Sequence, residues 1–428
     1  MTTSVLALHG GEPVIRAPLE RFRSIGPEEA DAVAGVMRSG VLSAFIGAAG
    51  PGFLGGEQVL ACEAKAAERF GFRHAITVNS WTSGLIAAVG AIGVEPGDEI
   101  VTTPWTMAAT ATAILHFNAI PVFADIDERT FNIDPTSVEA CIGPRTRAIM
   151  AADIFGQSAD MERLRAVADR HGLTLITDSA QAPGALYKGE SVGKVADIGG
   201  FSLNYHKHIH SGEGGILVTD DDRLAQRMRL IRNHAEAVID SDDPHELSNM
   251  LGYNFRMGEI EAAIAATQLD KLTARIEGRQ RVARALDDGL AGLEGLVTPH
   301  VPNENSHVYY VYGMRLEPEA VGVPRARLVE ALRAEGVPWL MAGYQNIHRL
   351  PLFRHKIAYG SQGFPWNQPF VSRDVPYGKG VCPTAERLHE ETFLGINLCM
   401  GEFPPEEIAL VVEAFRKVWA GRDALRGA

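Results

Sequence analysis

Between about residue 70 and residue 235, short apolar runs alternate with stretches of helical periodicity. The runs His74–Val78, Glu99–Thr103, Ile120–Ala124, Ala148–Ala152 and Leu173–Thr177 have the length and content of buried strands. Helical stretches separate them at Ser83–Ile92, from Met107 to about Phe117, and at the amphipathic Met161–His171. Continuous apolar strands alternating with helices predict a largely parallel sheet covered on both faces. Two more strand-like runs, Ile198–Leu203 and Gly215–Thr219, flank a glycine-rich turn. Beyond residue 255 the pattern changes to a long helix at Gly258–Leu286, a strand at Val308–Leu316, a helix at Arg325–Glu335 and a terminal helix from Pro405 to about Ala424. The Pro/Gly-rich stretch Ala342–Pro383 has no period and is too long for a simple connection, so it reads as a lid, a substrate loop or a subunit contact. The expected architecture is α/β: a large domain with a mostly parallel sheet over residues 1–275 and a smaller α+β domain over 276–428.

Length and composition fit this reading. The chain has 428 residues, 46% hydrophobic and 22% charged, which is enough apolar material for a sizeable core. Its net charge of −13 disfavours nucleic acid and anionic lipid as partners. The segment MTTSVLALHGGEPVI carries no signal-peptide pattern, and no apolar stretch reaches spanning length. Four scattered cysteines without CxxC spacing suggest reduced thiols, no zinc site and a cytoplasmic protein.

In parallel α/β sheets, ligands gather beyond the carboxyl ends of the strands. Asp178 directly follows one strand, where a carboxylate is costly to bury unless it faces a cation or caps the next turn. Asn79–Gly84 joins a strand to a helix and offers hydroxyls and helix-start N–H groups, which suit a phosphate or a simple cap. Trp105, at another strand end, could lie over a ring or pack in the core. Lys207 stands between a strand and a GEGG turn, where it is either an exposed loop lysine or a desolvated amine that could serve as a nucleophile for an aldehyde. The alternation His206, His208, His210 on a strand would set three imidazoles on one face, the arrangement of a metal hydrolase. Together, a phosphate cradle, a ring-stacking aromatic, a carboxylate and a lysine meet the needs of pyridoxal 5′-phosphate.

The ordered motifs GGEPV, FLGGEQVLACEAKAAERFG, GDEIVTTPWTMAATATAI, ITDSAQAPGA, KHIHSGEGG, LGYNFRMGEIEAAI and CPTAERLHEE run over nearly the whole chain. In this order they resemble the fold-type-I, pyridoxal-phosphate-dependent sugar aminotransferases of the DegT group, which includes amino-sugar, aminocyclitol and 3-amino-5-hydroxybenzoate enzymes. The resemblance implies that Lys207 carries the cofactor as a Schiff base and that Asp178 pairs with its pyridine nitrogen. It also implies that Gln181 contacts the phenolic oxygen side and that Trp105 covers the ring. Ser202, Thr82 and the backbone N–H of Trp81 would gather round the phosphate, joined by Asn254 from the neighbouring subunit of a homodimer. The donor would be Glu or Gln, and the acceptor a keto sugar or keto cyclitol.

Two positions depart from the family pattern. SWTSG replaces the usual SGT-type turn, and Asp153 stands where His is common. A dehydratase branch has His in place of the lysine, whereas Lys207 keeps its spacing to GEGG, which favours transamination. A non-catalytic regulator that holds the cofactor stays open as an alternative. The aperiodic segment brings Tyr344, Asn346, His348, Trp366, Asn367 and Tyr377, read as groups for a sugar face or as packing for the small domain.

Overall fold

The computed structural model describes residues 5–426; the first four residues of the expected N-terminal domain and the last two of the C-terminal one lie outside the described residues. Helices α1 (Pro27–Ser39) and α2 (Glu57–Phe70) lead into β1 (His74–Val78) and α3 (Trp81–Ala91). There follow β2 (Glu99–Thr102), α4 (Ala108–Leu115), β3 (Ile120–Phe123), α5 (Pro135–Cys141), β4 (Thr146–Ala152), α6 (Met161–His171) and β5 (Thr174–Asp178). A small hairpin, β6 (Leu186–Tyr187) and β7 (Glu190–Ser191), precedes β8 (Gly199–Ser202), β9 (Gly215–Thr219), α7 (Asp222–Arg232) and α8 (Pro244–Leu247). The helix starts are set by side chains: Ser80, Asp134, Asp160 and Asp221 each accept an N–H of the first turn of α3, α5, α6 and α7.

Strands β3-β2-β4-β5 pair in parallel. A parallel bridge from Ile176 to Ile198 carries the order on to β8, β9 and β1, and within this series β9 alone runs the other way. Alternate residues of each strand enter opposite cores. Ile100, Met150 and Ile176 pack with α3 and α7 on one face, and Val101, Ile149 and Leu175 pack with α6 on the other. Both faces are covered, so the strands need no polar side, and they read as unbroken apolar runs.

Helix α9 (Glu259–Leu290) runs unbroken through residues 275 and 276. Its first half, with Ala262, Ala265 and Leu269, packs in one core with Val59 and Ala66 of α2, while Val282, Ala283 and Leu286 enter a separate core. That second core belongs to an antiparallel sheet. After α9 come β10 (Leu296–Val297), β11 (Val311–Leu316), α10 (Pro318–Val321), α11 (Arg325–Ala334), β12 (Leu340–Ala342), α12 (Pro351–Arg354), α13 (Pro383–Arg387), β13 (Phe393–Asn397) and α14 (Pro405–Ala420). The strand order is β10-β11-β13-β12, with α11 and α14 packed together beside it. The aperiodic segment does not stay with this sheet: Ile347, Phe353, Trp366 and Val375 are buried in the core that covers β2 to β5. No helix among the described residues is long and apolar enough to cross a membrane.

Candidate active site

A cavity of about 310 Å³ opens at the carboxyl ends of β1, β2, β4, β5 and β8. It collects Ser80, Trp81 and Thr82 at the start of α3, Thr106 and Met107 after β2, Asp153 after β4, Asp178 and Gln181 from the end of β5 onward, and Ser202 and Lys207 from the β8 turn. A wider groove of about 1000 Å³ lies between α9 and α14, but it holds none of these residues, and chemistry rather than volume identifies the site.

The Lys207 side chain is buried, with Nζ 4.4 Å from the ring centre of Tyr310. Burial disfavours its charged form and pushes it down to about 8, against a smaller opposing pull from Asp178. An amine so placed is partly neutral and able to attack a carbonyl.

Three donors converge on the Asp178 carboxylate. The Trp81 indole N–H donates to Oδ1 at 2.7 Å, the Thr110 hydroxyl to Oδ2 at 2.6 Å, and the Ala180 N–H to Oδ1 at 3.2 Å. Thr106 Oγ1 lies 3.3 Å from Thr110 Oγ1, which extends the chain toward the cavity. Gln181 is held by the Phe155 N–H, which donates to Oε1 at 2.8 Å, and its Nε2 donates to the Tyr344 hydroxyl at 3.3 Å. Ser80 caps α3, so the helix-start N–H groups together with Thr82 and Ser202 form an anion cradle at one end of the cavity. An amine, a carboxylate and an anion cradle round one cavity fit an aldehyde-bearing pyridine phosphate.

Three expectations need correction. Trp105 does not face the cavity: it is fully buried, against Tyr344 at 5.6 Å and Phe393 at 5.4 Å between ring centres. The residue of that segment which does face it is Met107, 66% exposed at the cavity rim. Pro104 and the turn after β2 break the strand alternation, so parity could not be carried from β2 to residue 105. The three histidines do not share a face, because the segment after β8 is a loop. His206 lines the cavity, the His208 ring is bonded to Val308 O at 2.7 Å, and His210 lies 2.7 Å from Ser24 Oγ. Burial holds His206 down to about 4 and His208 to about 3, so both are neutral near pH 7. The sugar-facing reading of the aperiodic segment also fails for most of its members. His348 pairs with Glu386 at 3.0 Å, Asn346 donates to Ala385 O, and the Trp366 indole donates to the Tyr377 hydroxyl, all in the core. Asn367 is exposed away from the cavity, and Tyr344 reaches the site only through Gln181.

Asn254 also lies outside the cavity of its own chain. It is exposed at the rim, where its C=O accepts from Asn79 Nδ2 at 3.4 Å. Asp153, by contrast, is buried beside Asp178; it accepts from Ser179 Oγ at 2.6 Å and from the Ala159 N–H at 2.9 Å, and burial raises it to about 6. Sequence reasoning missed Thr110 and Met107. The available signal was a pair of hydroxyls just beyond a strand end, Thr106 in the turn and Thr110 in the first turn of α4.

The family described as DegT/DnrJ/EryC1/StrS aminotransferases matches residues 27–394. A putative L-glutamine:3-amino-2,3-dideoxy-scyllo-inosose aminotransferase of Streptoalloteichus tenebrarius is 33% identical, covering 99% of this chain and 100% of that protein. GDP-perosamine synthase of Caulobacter vibrioides is 37% identical over 70% of this chain and 80% of its own. Among solved structures, DesI with its TDP-sugar product superposes with a TM-score of 0.79 at 28% identity, covering 98% of this chain and 97% of that one.

Proposed function

We propose, for a chain that belongs to the DegT/DnrJ/EryC1/StrS aminotransferase family, that it transfers an amino group from glutamate or glutamine to a cyclic polyhydroxy ketone. The chain is a pyridoxal-phosphate-dependent aminotransferase. When bound, the cofactor supplies an aldehyde to accept the amino group and a ring to hold the electrons freed at the donor's α-carbon.

The protein's own residues supply the rest. Lys207, partly neutral through burial, would anchor the cofactor's aldehyde and would carry the proton taken from the donor's α-carbon. Asp178, oriented by its three donors, would face the ring nitrogen. Ser202, Thr82 and the start of α3 would hold the phosphate, and Gln181 would lie toward the phenolic oxygen. The exposed position of Asn254 beside Asn79 supports a homodimer in which Asn254 of the partner subunit completes the phosphate site. Four unpaired cysteines support a cytoplasmic setting.

Among cyclic ketones, a free cyclitol is the first acceptor to try. A relative that covers 99% of this chain is named for a scyllo-inosose derivative. Among the described residues, the cavity lining carries one amine, Lys207, against three carboxylates, Asp153, Asp178 and Glu213, which is a poor setting for a diphosphate. The observation that carries the reading is the buried Lys207 amine in one cavity with Asp178. Borohydride treatment of the holoenzyme should attach the cofactor to the peptide containing Lys207, and a donor screen followed by keto cyclitols and keto sugars should show transfer. A trapped adduct on another lysine, or pyruvate aminated far better than every cyclic ketone, would overturn the respective part.

A further inference from the structure

The Trp81 side chain occupies a space that two glycines leave open, and a third glycine gives way to the Trp81 backbone. A Cβ on Gly200 would lie 2.2 Å from the indole ring, one on Gly84 2.8 Å from it, and one on Gly215 2.8 Å from the Trp81 Cα. Gly200 of β8 and Gly84 of α3 give way to the ring, and Gly215 of β9 lets the backbone at Trp81 come close. The slot does more than bury an aromatic. It aims the indole N–H at Asp178 Oδ1 at 2.7 Å, with the carboxylate and the indole both nearly inaccessible to water. Thr110 occupies the other oxygen. A carboxylate offers about four acceptor positions. Three are taken by Trp81, Thr110 and Ala180, which leaves about one for the cavity.

From this geometry we propose that Trp81 is a positioning residue whose indole N–H holds Asp178 as an anion aimed into the cavity, so that the proton between Asp178 and the cofactor's ring nitrogen stays on the nitrogen. This rests on the assignment of Asp178 to that nitrogen. A proton shared between a carboxylate and a pyridine goes to the partner whose other form is less well satisfied. A donor fixed on the carboxylate stabilises its charged form and leaves the proton with the ring. A hydrogen bond to a charged acceptor shifts such an equilibrium by about tenfold to a hundredfold. In a dry site water cannot replace the lost donor. The protonated ring is the better electron sink, so the indole acts on the rate of proton removal through Asp178 without touching the substrate.

The test is the ¹⁵N resonance of the ring nitrogen in holoenzyme loaded to saturation with ¹⁵N-labelled pyridoxal phosphate. Trp81→Phe keeps an aromatic ring and removes the donor. Incorporating 3-benzothienylalanine at position 81 keeps the full indole shape, with sulfur in place of N–H. Both should move the resonance from the wild-type position toward that of unprotonated pyridine. The half-reaction with the amino donor should slow about tenfold to a hundredfold with little change in KM. A wild-type resonance in the folded benzothienyl variant overturns the proposal, and so does a shift confined to Trp81→Phe, which would trace the effect to lost volume. Failure of the folded benzothienyl variant to hold the cofactor at saturation overturns it as well, because retention would then be the role. If Trp81→Phe does not fold, the isostere decides alone. Asp178→Asn separates the two layers: an unchanged resonance there refutes the assignment of Asp178 itself. A shift there without one in the benzothienyl variant refutes only the role of Trp81.

Discussion

The buried amine of Lys207 sets a measurable pH signature on the apoprotein. An ordinary lysine has its midpoint near 10.5, and burial brings Lys207 to about 8. At pH 7 the neutral fraction is then about one in ten, against about one in three thousand for an exposed lysine, a gain of roughly 300-fold in attacking amine. Apoprotein mixed with pyridoxal phosphate in a stopped-flow spectrometer should form its coloured adduct at a rate that rises with pH and levels off just above about 8. Lys207→Ala with added methylamine supplies the control, since it carries the cofactor's own pH dependence and an amine of ordinary basicity. The same displacement has a stability consequence. Between about 8 and 10.5 the unfolded chain binds the proton that the folded chain has lost, so stability rises with pH across that window. Below about 8 both forms are charged and the slope from this group vanishes, leaving a constant burden of about 3 kcal/mol on the folded apoprotein. Lys207→Met removes that burden, so at neutral pH the apo variant should be more stable by up to about 3 kcal/mol in urea unfolding while capturing no cofactor. Capture that keeps climbing about tenfold per pH unit to about pH 10, as the methylamine control does, would show that the amine is hydrated and the reasoning wrong.

Asp178→Asn keeps the shape of the site but removes the carboxylate proposed to pair with the ring nitrogen, and the half-reaction should fall about 100-fold or more; near-normal turnover would remove that role. Glu63→Ala strips the buried Arg232 of a 2.6 Å partner, and Thr77 N–H and hydroxyl of theirs, so it should cost about 3–5 kcal/mol in urea unfolding. A loss below about 1 kcal/mol would mean that water enters that pocket. Equal mixing of Lys207→Ala and Asn254→Ala subunits should restore about a quarter of wild-type activity, because half of the dimers are mixed and each has one intact site. No recovery, or full activity of either single variant, counts against the shared site.

What the sequence made legible follows from where period and punctuation survive. Buried parallel strands are continuous apolar runs, so β1 to β5 could be read directly, and Asp178 stood out as a charge at the end of such a run. Lys207 was legible because a strand and a glycine-rich turn bracket it. Helices α1 and α2 were not singled out. Their apolar faces are thin and rich in alanine and charge, and their place is decided by packing on α9. Strand-end position leaves Trp105 open between ring and core, and only the family resemblance places it over the cofactor. Orientation beyond a strand end depends on the turn, and the turn at Pro104 sends Trp105 inward and Met107 outward.

The residues hardest to read were those that touch a functional group rather than the ligand. Trp81 was granted only its backbone N–H, because a large ring in a phosphate turn has nowhere to go unless something vacates space for it. That space is made in part by Gly200, more than a hundred residues further along the chain, and no local pattern links it to residue 81. Thr110 is equally remote from Asp178 in sequence, 68 residues away, although its hydroxyl makes one of the shortest contacts in the site. A catalytic group that meets a ligand must stand at a strand end, and that requirement leaves a trace in the local sequence. A group that orients another needs only to arrive within hydrogen-bond distance, from any element the fold brings close. For that second kind of residue, the informative sequence feature is the odd one out: a tryptophan in a turn built for small residues, paired with bare glycines on strands that would otherwise carry side chains.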